Sequence, residues 1–214
     1  MELSARQLRT GIRSPAVLVR QLRAEWIAPI DPDTPRSPQR PWIDASIRRY
    51  QGGGRKADVL MADYAERTGR AKRRDTAASE IANGKTMLER FARLDADEPT
   101  PTRFQLPRTP VDVLGTVTSM GADLVYETDE GFVIRQLITD MEITRPEHLG
   151  LYATAVALHF EGRPGGGPVS RVDLWLLRYE NRTLTWSRAT LEATVPRLAI
   201  RLEEIARGAE GRAA

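Results

Sequence analysis

The chain has 214 residues, 41% of them apolar and 29% charged, with 32 Arg and Lys against 29 Asp and Glu for a formal net charge of +3. These proportions exclude a disordered chain and allow one ordinary domain, or a core domain with a helical extension. With no cysteine, disulfides and thiolate metal sites are excluded, and no apolar run approaches the roughly 18–20 residues of a membrane span.

The opening segment, MELSARQLRTGIRSPAVLVRQLR, is studded with arginine and lacks the apolar centre of a secretory leader. A reducing cytoplasm is the expected setting. Ser14-Pro15 reads as an N-cap with proline at the first helical position. Val17, Leu18 and Leu22 then follow at helical spacing towards Trp26. Residues 28–41, APIDPDTPRSPQRP, hold five prolines and read as a linker. A second helix is expected from Pro41-Trp42 to the glycines at 52–54, a third over RKADVLMADYAERTGR, and a longer one from Asp75 to about Leu94.

After DADEPTPT the pattern changes. RFQLP, VDVLGTVTS, ADLVYE and GFVIRQLI are short, rich in β-branched and aromatic residues, and predict three or four strands. Asp129-Glu130-Gly131 is the hairpin turn between the last two. PEHLGLYATAVALHF, from Pro146 to about Phe160, is apolar around most of its circumference and predicts a buried helix. VSRVDLWLLRYE and LTWS predict further strands, and a last helix spans roughly 188–207, with Pro196 kinking it or marking its start. The expected fold is α/β, a small mixed sheet flanked by helices, with residues 1–80 as an arginine-rich helical region and 81–214 as the core.

Charge is distributed unevenly. Residues 1–94 carry 19 Arg and Lys against 11 acids, and residues 95–214 carry 13 against 18. A basic arm on a mildly acidic body fits attraction to phosphate backbones. Only Lys56, Lys72 and Lys85 are lysine, an arginine bias expected of a GC-rich genome such as an actinobacterial one. The runs RRYQGGGRK (48–56) and RTGRAKRRD (67–75) make Arg48, Arg49, Arg55, Lys56, Arg70, Lys72, Arg73 and Arg74 candidate phosphate contacts. Charge runs of this kind are also ordinary solvated helix ends. His148 and His159, eleven residues apart on one helix, stand about 16 Å apart and cannot share a metal. GRPGGGP lacks the lysine and following helix of a phosphate-binding loop.

Three stretches resemble the PD-(D/E)XK nuclease superfamily, its RecB-type exonuclease branch in particular. MGADLVYE is similar to the family strand that carries a metal-binding aspartate, here Asp123. GFVIRQLITD is similar to the next strand, where members place an acid, one residue, a lysine and a threonine. HLGLYATAV is similar to the helix motif of a glutamine three residues before a leucine-tyrosine pair, here Leu151-Tyr152. The resemblance covers about residues 80–207.

It implies chemistry that needs two carboxylates holding Mg²⁺ and a lysine beside the attacking water. Here the second acid aligns with Gln136, the lysine with Ile138 and the helix glutamine with His148. Isoleucine has no charge or proton to offer, and a neutral amide is a poor Mg²⁺ ligand.

The leading expectation is therefore a catalytically degenerate domain, needing no cofactor, that binds DNA or a DNA-processing protein. The alternative is a Mg²⁺-dependent nuclease whose site has migrated, using Asp123 with Asp140 or Glu142, and with Glu127 and His148 nearby. A third is an assembly subunit that touches no nucleic acid.

Overall fold

The computed structural model describes residues 2–27, 39–71, 78–139, 145–178 and 182–210. Strand β1 (Glu2–Ser4) leads into α1 (Ala5–Arg13) and α2 (Pro15–Ile27). Ser4 closes a capping box, accepting from the Gln7 amide while Gln7 Oε1 accepts from the Ser4 amide at 2.9 Å. Three helices follow: α3 (Gln39–Gly52), α4 (Ala57–Ala71) and α5 (Ala78–Asp95). Helix α3 begins two residues earlier than the proline run predicts, which puts Arg40 inside it.

Strands β2 (Arg103–Val113), β3 (Thr116–Thr128) and β4 (Gly131–Ile138) form an antiparallel meander. The stretch VDVLGTVTS is not one strand but the β2–β3 hairpin. Leu114 and Gly115 both take positive φ, 52° and 81°, the conformation of a primed two-residue turn. A leucine hides that turn from a search for glycine and asparagine. Helix α6 (Pro146–Gly162) then crosses to β5 (Val169–Leu176), which pairs parallel with β4, and β6 (Arg182–Ser187) pairs antiparallel with β5. Helix α7 (Arg188–Glu210) ends the described chain and carries Pro196 within it.

Among the described residues the strands form one six-stranded mixed sheet, in which β1 adds parallel to the start of β3 and β2 is an edge. Period-two alternation sends β4 side chains to both faces: Ile134 and Ile138 join the core under α1, α6 and α7, while Val133 and Leu137 join the core under α3, α4 and α5. Phe91 from α5, packed against Tyr50 and Trp175, centres the second core. The expected boundary at residue 80 does not separate two packed bodies. Leu3, Leu8, Ile12 and Leu18 belong to the first core, and Ile43, Ile47 and Leu60 to the second. The mixed α/β sheet flanked by helices is as expected. Among the described residues no helix is long and apolar enough to cross a membrane.

Candidate functional site

Asp123 lies where β3 and β4 separate. Their registered pairs end at Leu124–Arg135, while β4 continues alongside β5 as far as Ile138–Leu176. In the gap, the Leu137 amide donates to Asp123 Oδ2 at 2.7 Å, and Gln136 Nε2 donates to the Gly121 carbonyl at 2.7 Å. These bonds replace ladder bonds that the splayed backbones no longer make, as burial demands.

Arg40, in the first turn of α3, fills the mouth of the gap. Its Nη2 donates to Asp123 Oδ1 at 2.7 Å and its Nη1 to the Leu137 carbonyl at 2.7 Å. Its Nε lies 2.7 Å from Asp44 Oδ1, one helical turn along. All three guanidinium nitrogens lie 2.7 Å from an oxygen. Burial alone would depress this guanidinium, but Asp123 and Asp44 carry its pKa above the ordinary value. Asp44 is pushed up by burial and then by the Asp123 charge, against the pull of Arg40. One planar cation thus bridges two carboxylates and a strand-end carbonyl, the geometry guanidinium favours.

The other aligned positions are inward. Gln136 is 6% exposed and Ile138 2%, and Ile138 packs in the core beneath α6. A divalent cation would need several oxygen ligands. Here the Asp123 and Leu137 oxygens are held by Arg40, Gln136 turns its amide to a carbonyl, and Ile138 offers nothing. Among the described residues no group of three or more His, Cys, Asp or Glu could hold a metal. These residues do not fit Mg²⁺. Asp140 and Glu142 lie outside the described residues. Glu127 is exposed four residues along β3, about 13 Å from Asp123 at strand rise, and does not converge on it.

On α6, Tyr152 is buried and its hydroxyl accepts from Arg9 Nη1 at 3.2 Å. His148, one turn earlier, is held below the ordinary imidazole range by burial and by Arg201, Arg145 and Arg13, against the opposing pull of Glu147. His159 is structural: its Nε2 lies 2.8 Å from the Thr109 carbonyl and 3.3 Å from the Met120 amide, stitching α6 to the irregular β2–β3 ladder.

The basic candidates divide. Arg49 pairs with Asp63 at 2.9 Å. Arg55 donates to Asp95 Oδ2 at 2.9 Å, to the Glu98 carbonyl at 2.7 Å and to the Asp95 carbonyl, so it ties off the end of α5. Arg48 and Lys56 are exposed, and Arg48 Nε donates to Gln105 Oε1 at 2.8 Å. The side chain of Arg70 and all of Lys72, Arg73 and Arg74 lie outside the described residues.

Arg40, Asp44 and Arg9 escaped the sequence reading. The Arg40–Asp44 spacing of four residues was a legible helical pair, masked by the prolines around it. Also unforeseen is Arg135, whose side chain is 3% exposed. It donates to Tyr126 Oη at 2.9 Å, lies 3.1 Å from Glu98 and 3.2 Å from Asp173, and stacks 4.2 Å from the centre of the Trp175 ring. Burial pushes the Tyr126 hydroxyl up to about 12, so it stays a neutral partner.

No protein-family model and no curated protein matches the chain. Among solved structures it is similar to a crystal structure at 2.19 Å of a protein provisionally assigned as an exonuclease, from Eubacterium rectale. The likeness covers 98% of this chain and 82% of that one, with a TM-score of 0.50 and 12% sequence identity. At that identity it is a likeness of fold alone: the two chains share a mixed α/β architecture.

Proposed function

We propose that this protein is a nuclease-like domain that has given up metal-dependent cleavage and acts by binding DNA within DNA processing or defence. The observation that carries the reading is the Arg40 guanidinium on both Asp123 Oδ1 and the Leu137 carbonyl. An internal cation occupies the oxygens that a catalytic cation would take, and it needs no exchangeable ligand. The core packing of Ile138, at the position of the family lysine, supports the same reading. Without a bound metal ion or a lysine beside the attacking water, the barrier to phosphodiester hydrolysis is not lowered by that chemistry. The surplus of basic residues in the first 94 positions, 19 against 11 acids, supports an anionic partner, as a phosphate backbone is.

The test is purified protein incubated with Mg²⁺ or Mn²⁺ on linear duplex and single-stranded DNA, alongside a low-salt gel shift. We expect a shift and no products. Cleavage that disappears in Asp123→Ala would overturn the degenerate reading in favour of a migrated site. No shift at low salt would overturn DNA binding and leave the protein-assembly role.

A further inference from the structure

Edge strand β2 passes beside the Asp123 gap in a shape that regular pairing does not explain. Its registered partners Phe104–Leu124 and Leu106–Ala122 place Gln105 across from Asp123. Gln105 takes a positive φ of 48°, unusual for a residue with a side chain, and the ladder shifts register between Leu106 and Thr109. The strained residue is held at both ends of its amide. Oε1 accepts from Arg48 on α3 at 2.8 Å, and Nε2 donates to the Asp44 carbonyl. Such strain persists only where the surroundings fix it, and it gathers at working surfaces.

Around this clasp three side chains face outwards. Phe104 is 36% exposed, one of the few large apolar groups so placed. It pairs in register with Leu124, which lies in the core under α3 to α5, so it stands on the α3 side of the sheet. Arg48 and Arg108 are both exposed, and Arg108 lies close enough to Asp44 to draw its pKa down. Neither Arg48 nor Arg108 has a carboxylate hydrogen-bonded to it among the described residues. Arg49 and Arg55, on the same helix and just beyond it, are by contrast tied to Asp63 and Asp95.

The edge itself is closed to another strand. Pro107 and Pro110 lack amide hydrogens, and the register shift and left-handed Gln105 break the regular row of donors and acceptors. A partner held through the backbone of β2 is disfavoured. A partner held by side chains, offering anions at intervals with flat apolar rings between them, fits. Exposed guanidiniums beside a solvent-facing aromatic are the elements of single-strand recognition, in which arginines take phosphates and the ring stacks an unpaired base. A duplex keeps its bases inside and offers Phe104 no such surface.

We propose that the β2–α3 edge is a track for single-stranded nucleic acid, with Arg48 and Arg108 on the phosphate backbone and Phe104 stacking a base. The track rests on the reading of this domain as a nucleic-acid binder and gives that reading an address: beside Asp123, with Gln105 as the rigid support between the two arginines.

Fluorescence anisotropy of the full chain with a labelled oligothymidylate, and with a duplex of equal length, tests it across a salt series. We expect tighter binding of the single strand. Arg48→Gln/Arg108→Gln should weaken it and reduce the slope of log K against log salt by about 1.4, from two contacts at roughly 0.7 each. Phe104→Leu should weaken it by about ten-fold or more with the slope unchanged, because stacking releases no counterions. Arg197→Gln on the exposed face of α7 serves as the charge control. If the wild type binds but the double variant keeps its affinity and slope, or falls no further than Arg197→Gln, the track is wrong while nucleic-acid binding stands. Equal or tighter binding of the duplex, or no effect of Phe104→Leu in a folded protein, also overturns the track. Failure of the wild type to bind either oligonucleotide at low salt removes the functional reading with it.

Discussion

Arg40 Nη2 lies 2.7 Å from Asp123 Oδ1, across the point where two strands of the sheet diverge. The pair is partly sheltered, with side-chain exposures of 31% and 15%. The same guanidinium holds Asp44 and the Leu137 carbonyl, so Arg40 links helix α3 to the sheet as well as neutralising charge. A site of this kind is a fastening. Its strength depends on all partners being present, since a carboxylate left alone beside another carries the cost of both desolvation and repulsion.

Arg40→Ala is expected to destabilise the fold by about 1–3 kcal/mol, the usual cost of stranding a sheltered polar partner. Asp123→Ala should cost a similar amount by freeing the Leu137 amide and Arg40. The double variant should be less destabilised than the sum of the two, by about 1 kcal/mol, because neither the carboxylate nor the guanidinium is then left facing a missing partner, although the Leu137 amide stays unpaired. Urea denaturation of the four proteins measures the cycle. Strict additivity would show that the two residues do not act as a unit.

Arg135 is a more deeply enclosed case. Arg135→Met leaves Asp173, among the described residues, with Thr185 and Arg171 as partners, and loss of one member of a buried pair costs about 3–5 kcal/mol. Arg135→Lys keeps the charge but loses the planar fork and the stacking on Trp175, so its melting temperature should fall between those of the methionine variant and wild type. Full recovery by lysine would mean that charge alone matters, and would remove the role given to the stacked ring.

The chain has two histidines, so an NMR pH titration resolves both. Burial sets His159 below the ordinary imidazole value of 6.5 in the folded state. The unfolded chain therefore binds that proton more tightly. The His159 contribution to stability is complete above about pH 6.5 and is lost as pH falls from there through the folded pKa. His159→Gln should flatten the slope of unfolding free energy against pH in that window. An unchanged slope, or a titration at or above 6.5, would contradict the buried, neutral ring.

Much of the architecture is legible in the sequence. Period-two alternation in GFVIRQLI and helical spacing in residues 78–95 report local geometry, which depends on the side chains within a few positions. The same holds for the crossover helix 146–162, whose apolar circumference announces burial on all sides. The two elements that escaped, β1 and α1, are short. Strand β1 becomes a strand only because the start of β3 offers it an unpaired edge. The β2–β3 turn escaped because leucine at positive φ is accepted there for the sake of the pairing on either side.

The amino-acid order by itself determined the alternating core, the α/β class and the presence of Gln136 and Ile138 on strand β4, because identity and spacing are written in the chain. It could not say what stands at Asp123. Arg40 comes from a segment 83 residues earlier that reads locally as the end of a proline-rich linker. The contact exists only once α3 packs across the sheet and the strands part at Leu124. The fate of a charge is decided by which opposite charge the fold brings within about 3 Å and how much water remains between them. Both are properties of the packed molecule, and no local pattern carries them.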